Sequence, residues 1–182
     1  MIKYLSIIIF FFFTNNSNAN NKENIINNLK DTKNINFDFE QNINGKIEKG
    51  NCIIEYPKKI FCEYSGKKDK ILVSNGNSLV IKTKASYYLY SLEKTPLNFI
   101  LDKNYLINKI YNLKQRIVNE SLINYKINEN GNEINIFFDN QSFNLIGWQT
   151  KDLYQNLNIT FLSSVKKNEP INRSLFNLPL RN

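Results

Sequence analysis

From Ile35 onward the apolar positions along the chain fall mostly two apart, which is the spacing of half-buried strands. Ile35, Phe37 and Phe39 open this pattern. It returns in Ile134, Ile136 and Phe138, and again in Leu157, Ile159 and Phe161. Between these lie Ile71–Val73 and Leu79–Ile81, two runs flanking Asn75-Gly76, a strong hairpin signal because both residues tolerate positive φ. The run from Tyr87 to Leu92 sets Tyr88, Tyr90 and Leu92 on one face. Three stretches follow the helical period instead. Ile25, Ile26 and Leu29 make a stripe after Asn20 and Glu23, which are spaced as a capping box, and predict a helix over 20–34. Leu97 to Leu101 begins a short helix with Pro96 at its first turn, and Leu106, Ile107, Ile110 and Leu113 continue as a second. The remaining strands are expected over 115–128, 133–139, 144–148 and 157–162, with a turn at Asn130-Gly131. The tail from Asn168 reads as an extended segment pinned by Phe176.

The segment 45–64 reads as a hairpin of strands 46–55 and 59–64 joined at Tyr56-Pro57-Lys58. Cys52, Ile54 and Tyr56 share a face, as do Ile60, Cys62 and Tyr64. If Glu55 opposes Lys59, then Cys52 opposes Cys62 at a distance close to what a disulfide needs. The alternative is a pair of buried free thiols. Lys3, the short apolar run Tyr4–Phe13 and the small residues Ser17-Asn18-Ala19 have the form of a secretory signal peptide. The run is half the roughly 20 residues needed to span a bilayer. Cleavage after Ala19 would leave 163 of the 182 residues as one soluble domain, 20–182, in an oxidising compartment, which favours the disulfide.

Hydrophobic content of 42% and charged content of 22% are those of an ordinary globular chain. The net charge of +8 comes from dispersed lysines with few arginines, which suits solvated strand faces and not a nucleic-acid patch, although it favours encounter with anionic surfaces. The sequence has no histidine and two cysteines. Ser-His and Cys-His nucleophile pairs and histidine-based zinc sites are therefore excluded, and no metal or cofactor is expected. Glu40, Glu48, Glu55, Glu63, Asp139 and Asp152 form no convincing pair, with Glu55 and Glu63 expected to face solvent. A carboxylate-only glycosidase stays open on sequence, but the expectation is that the protein is not an enzyme. With 13 Phe and 10 Tyr, many on alternating strand positions, the chain has the apolar strand surface of a passive binder. Ile136, Phe138 and Phe161 fit either a packed core or a cavity lining.

Several of these stretches resemble the outer-membrane lipoprotein carrier (LolA) family. The run from Ile71 to Leu79 is similar to its hairpin, and Thr95-Pro96-Leu97 to its later segment. Tyr56-Pro57 with Ile60 and Glu63-Tyr64, then Phe138-Asp139, Leu145-x-Gly147-Trp148 and Asp152, and finally Phe176-Asn177-Leu178-Pro179, follow in the family's order. The match runs from Ile35 to Pro179. Tyr56 stands where the family usually has an arginine that holds a helical lid, Cys62 where an aromatic is expected, and the turn after Asp152 lacks a glycine.

The resemblance implies an α+β fold: a strongly curved antiparallel sheet forming an incomplete, half-open barrel, its concave face covered by the N-terminal helix and a short helical lid. It implies lipid contacts at Phe39, Tyr56, Ile60, Leu97, Ile100 and Leu101, with Ile54, Tyr64, Tyr88, Tyr90, Ile136, Phe138, Trp148 and Phe161 as cavity candidates. It also implies a monomeric periplasmic chaperone that accepts acylated lipoproteins from a LolCDE-type ABC complex and delivers them to the outer membrane, to an acceptor there if one exists. The acceptor of the same fold differs by a lipidated N-terminal cysteine, absent near Ala19, and a lipoprotein-sensing interaction module is the other alternative.

Overall fold

A computed structural model describes residues 17–66, 70–118, 121–151 and 155–181; the apolar run of the expected signal peptide and Asp152 lie outside them. The element order is α1 (Ser17–Asp31), β1 (Asn34–Ile43), β2 (Lys46–Glu55), β3 (Lys59–Tyr64), β4 (Ile71–Asn75), β5 (Ser78–Lys82) and β6 (Tyr87–Ser91). After them come a 3-10 turn (Leu92–Lys94), α2 (Leu97–Ile100), α3 (Lys103–Asn112), β7 (Arg116–Val118), β8 (Leu122–Glu129), β9 (Asn132–Asp139), β10 (Leu145–Lys151), β11 (Leu157–Lys167) and a second 3-10 turn (Arg173–Phe176).

All eleven strands form one antiparallel sheet in the order β6-β5-β4-β3-β2-β1-β11-β10-β9-β8-β7. Each neighbour in space is a neighbour in sequence, except where β1 pairs with β11 and joins the two halves. The free edges, β6 and β7, do not pair, so the barrel is open. α2 and α3 are inserted in the chain between these two edge strands, and together with α1 they fold back over the concave face. An antiparallel sheet this wide curls because every strand pair adds right-handed twist. Register shifts at Asn36/Asp38 in β1 and at Leu145/Gly147 in β10 bend it further.

The alternation read from the sequence sets the two faces. Ile35, Phe37, Phe39, Cys52, Ile54, Ile60, Cys62, Ile123, Tyr125, Ile134, Ile136 and Phe138 point inward and are buried. Ile25, Ile26 and Leu29 of α1 and Leu106 and Ile110 of α3 close over them. On the convex side Val73, Val80 and Phe176 are buried outside that cluster, because the tail crosses β3 and β4 there.

Four expectations change. Asn20 is not a helix cap: α1 is already under way at Ser17 and ends at Asp31, since Asn34 is needed to start β1. The single strand expected over 115–128 is two, β7 and β8, forming a hairpin. At Asn75-Gly76 only Gly76 takes positive φ, +104°; Asn75 stays in β4, and its side-chain oxygen accepts from the amides of Asn77 and Ser78. Glu55 does not face solvent: its carboxylate is covered by Lys59 and by Arg173 of the tail.

Candidate functional site

Strand register lays the inward residues out in rows that cross the sheet. One row joins Ile35, Ile54, Ile60, Ser74 and Leu79. The next joins Phe37, Cys52, Cys62, Leu72 and Ile81, with the cysteines opposed and bonded. A third carries Leu162, Phe39, Gly50 and Tyr64. Beyond it the chemistry changes: Trp148, Thr160, Gln41 and Glu48 make the fourth row, and Thr150, Asn158 and Ile43 the fifth. The concave face thus grades from hydrocarbon to hydrogen-bonding groups along the strand direction.

Between these rows and the lid lies a cavity of about 240 Å³. Phe39, the disulfide, Ile60, Leu72, Leu79 and Ile81 form its apolar wall, with Thr95, Pro96 and Leu97 as the roof. Gly50 shapes the wall: a Cβ there would meet the Glu63 carbonyl oxygen and stand 2.7 Å from the Phe39 ring. The bare backbone lets that ring lie flat across β2 and meet Tyr64 edge-on, with centroids 5.0 Å apart. Trp148 in turn stands edge-on to Phe37 at 6.4 Å.

At the polar end Gln41 Nε2 donates to Thr160 Oγ1 at 3.2 Å. Lys70 is ion-paired with the buried Glu48 and lies 3.9 Å over the Tyr64 ring. Burial lowers the Lys70 pKa, and the nearby Lys46 charge lowers it further. Burial also pushes the Tyr64 hydroxyl up to about 12, so it is a neutral donor at any physiological pH.

Of the residues expected to meet lipid, Phe39, Ile60, Tyr64, Leu97 and Trp148 border this cavity. Ile54, Ile136 and Phe138 do not: they are fully buried on the sheet under the helices, and Ile100 and Leu101, from α2 and its end, are fully buried in the same core. Tyr88 and Tyr90 face inward by register with Ile81 and Leu79 but stand at the free edge, 52% and 40% exposed. Phe161 lies on the opposite face. It pairs with Gly147, stacks on Phe137 at 5.8 Å and is 49% exposed. Gly147 is what admits that pair, since a Cβ there would stand 2.5 Å from the Thr160 carbonyl oxygen and 3.2 Å from the Phe161 ring. Asp139 is a turn former, its carboxylate accepting from the Ser142 amide and hydroxyl and from the Gln141 amide, which hold its pKa low.

Tyr56 packs against the core, and among the described residues its hydroxyl makes no hydrogen bond to the lid. The lid is held two residues further on. The Lys58 amide donates to the Leu101 carbonyl at 2.8 Å, and Lys58 Nζ lies 3.5 Å from Asp102 Oδ2. Sequence reasoning missed Lys58 because the tie runs through its main chain, and it missed Gln41, Thr150, Asn158 and Thr160 because they look like ordinary strand polar residues. The alternation Phe37, Phe39, Gln41 would have placed Gln41 on the inner face; Thr150, Asn158 and Thr160 follow only once the pairing of β1 with β11 is known.

Among the described residues no helix is long and apolar enough to cross a membrane, and no cluster of His, Cys, Asp and Glu could hold a metal ion. No curated protein matches the chain. Solved structures with a similar trace include a LolA-superfamily protein from Nitrosomonas europaea (TM-score 0.44, 5% identity, covering 87% of this chain and 96% of that one). The lipoprotein LppX of Mycobacterium tuberculosis is another (0.45, 12%, 87% and 99%), and LprF from Mycobacterium bovis a third (0.44, 10%, 85% and 95%). The family model described as outer membrane lipoprotein carrier protein LolA matches residues 16–179, nearly the whole chain. The chain therefore belongs to the LolA family of outer membrane lipoprotein carriers.

Proposed function

We propose that this protein is a monomeric periplasmic carrier that shields the acyl chains of lipoproteins between membranes and performs no covalent chemistry. It receives them from a LolCDE-type ABC complex in the inner membrane and hands them to the outer membrane. The observation that supports this reading is an apolar cavity under a short helical roof in a member of the lipoprotein-carrier family.

The energetics suit the task. Each exposed methylene costs about 0.8 kcal/mol in water, so a triacylated protein does not cross an aqueous gap unaided. The cavity wall offers non-directional contacts, which hold chains without committing to one geometry and release them when the roof opens. The size of the cavity supports reading this structure as a closed form. A methylene takes up about as much room as a water molecule, about 30 Å³, so 240 Å³ accepts about eight of them, fewer than one myristoyl chain carries. On this reading loading moves α2 and its flanks away from β4 and β5.

The test is to incubate the purified protein with a detergent-solubilised triacylated lipoprotein and remove the detergent. A water-soluble 1:1 complex is expected. A lipoprotein that sediments while the carrier stays folded in the supernatant overturns the reading.

A further inference from the structure

We propose that the polar rows at one end of the cavity are a subsite for the hydrogen-bonding join of the cargo, the amide and ester groups where acyl chains meet the modified cysteine, and that this subsite orients the lipid. The proposal rests on the carrier reading above and adds a direction to it. Hydrocarbon alone would need no such surface, yet Gln41, Thr150, Asn158 and Thr160 line the same cavity as Phe39 and Leu79. Thr150 and Thr160 are 8% and 3% exposed, so these are not rim groups turned to water. Gln41 and Thr160 satisfy one another, and Glu48 is paired with Lys70. Asn158 is the exception: its side-chain oxygen is buried without a hydrogen-bond partner among the described residues.

An orphaned acceptor in a ligand cavity disfavours any occupant that covers it with hydrocarbon and favours one that brings a complementary polar group. Acyl chains directed at the Phe39, Cys52–Cys62 and Leu79 wall would set their amide and ester join at the Asn158 end. An amide supplies both donor and acceptor, so it suits the Asn158 side chain in either orientation of that group.

The experiment compares two probes on the full chain. One is a fluorescein-labelled tripalmitoyl-cysteinyl peptide, held below its micelle concentration and followed by anisotropy. The other is diphenylhexatriene, a pure hydrocarbon followed by fluorescence. Asn158→Leu is expected to weaken the lipopeptide roughly tenfold while leaving diphenylhexatriene unchanged or tighter, an opposite response that general unfolding or wall damage does not give. Asn158→Ser, which keeps a polar atom, is expected to stay within about threefold of the parent for the lipopeptide and secures the test if the leucine variant folds poorly. Equal loss for both probes, or an unchanged lipopeptide affinity in Asn158→Leu, overturns the subsite while leaving the carrier reading intact. A parent protein that binds diphenylhexatriene but not the lipopeptide overturns both.

Discussion

At the scale of single residues, the cavity depends on what is missing as much as on what is present. Gly50 is the clearest case, since its bare Cα is the surface on which the Phe39 ring rests. Gly50→Ala forces either that ring or the β2–β3 ladder to shift, because the new methyl also meets the Glu63 carbonyl oxygen. Overpacking of this kind costs about 1–3 kcal/mol, and urea unfolding of the variant should show a loss in that range. An unchanged midpoint would mean the strands can separate locally at no cost. The sequence showed Gly50 only as an interruption in a strand, because the reason for it lies on β1 and β3, more than ten residues away in either direction. Cys52 and Cys62 were legible for the opposite reason: a short hairpin fixes their register locally, and the bond follows. Phe161 was misread because alternation tells which residues share a face but not which face is concave. That sense is set by the partner strands, where Phe161 falls opposite Gly147 and Glu40.

At the scale of elements, the helical cover divides into a fixed part and a loosely held part. α1 and α3 close each other's ends. Lys22 of α1 donates to the Tyr111 and Leu113 carbonyls at the end of α3, and Lys103 of α3 donates to the Lys30 and Thr32 carbonyls at the end of α1. Each ammonium meets orphan carbonyls at the negative end of a helix dipole. α3 is also tied to the sheet: the Tyr105 hydroxyl donates to Glu129, which also pairs with Lys109 at 2.6 Å. The segment from Leu92 to Leu101 is bound to the sheet differently. Leu92 donates to the Asn77 carbonyl at one end and Leu101 accepts from the Lys58 amide at the other, while the main-chain bonds between them are local turns. Phe99, Ile100 and Leu101 hold it down by burial, which opening reverses without breaking a buried polar network. Hydrogen exchange should therefore show the amides of Asn98 and Phe99 exchanging at least about tenfold faster than those of Leu106 and Ile110. Equal protection would place the moving part elsewhere. Much of this layer was legible in the sequence, because Thr95-Pro96-Leu97 marks the break and the 3.6-residue stripe marks α3. The rigid pairing of α1 with α3 was not, since a lysine aimed at the end of another helix reads on its own strand of sequence as one more solvated charge.

At the scale of the whole molecule, the inner lid and the outer tail converge on one turn. The β2–β3 turn reaches the lid through Lys58 on its inner side. From the residues that flank it, Glu55 accepts from Arg173 Nε of the tail at 2.8 Å and from Lys59 Nζ at 3.0 Å, while Lys59 lies 5.8 Å over the Phe176 ring. Further along, Lys82 donates to the Leu180 carbonyl, so the tail straps the convex side from β2 to β5, the half of the sheet that bears the apolar wall. The charge at Glu55 is one of the ties of this strap. Burial acts to raise its pKa, but hydrogen bonds and charge from Lys59 and Arg173 outweigh it and hold the carboxyl below its ordinary 4.5. A depressed folded-state pKa means stabilisation that is present above the unfolded value and lost as pH falls through the folded one. Glu55→Gln should then cost about 1 kcal/mol or less near pH 6, a modest figure because the Arg173 side chain is largely solvated, and progressively less over the acid interval in which the parent carboxyl takes up its proton. Urea midpoints of the two proteins should converge over that interval. A difference that persists unchanged to the acid end would show that glutamine fails for reasons of shape, and that the strap is held by Phe176 and not by charge.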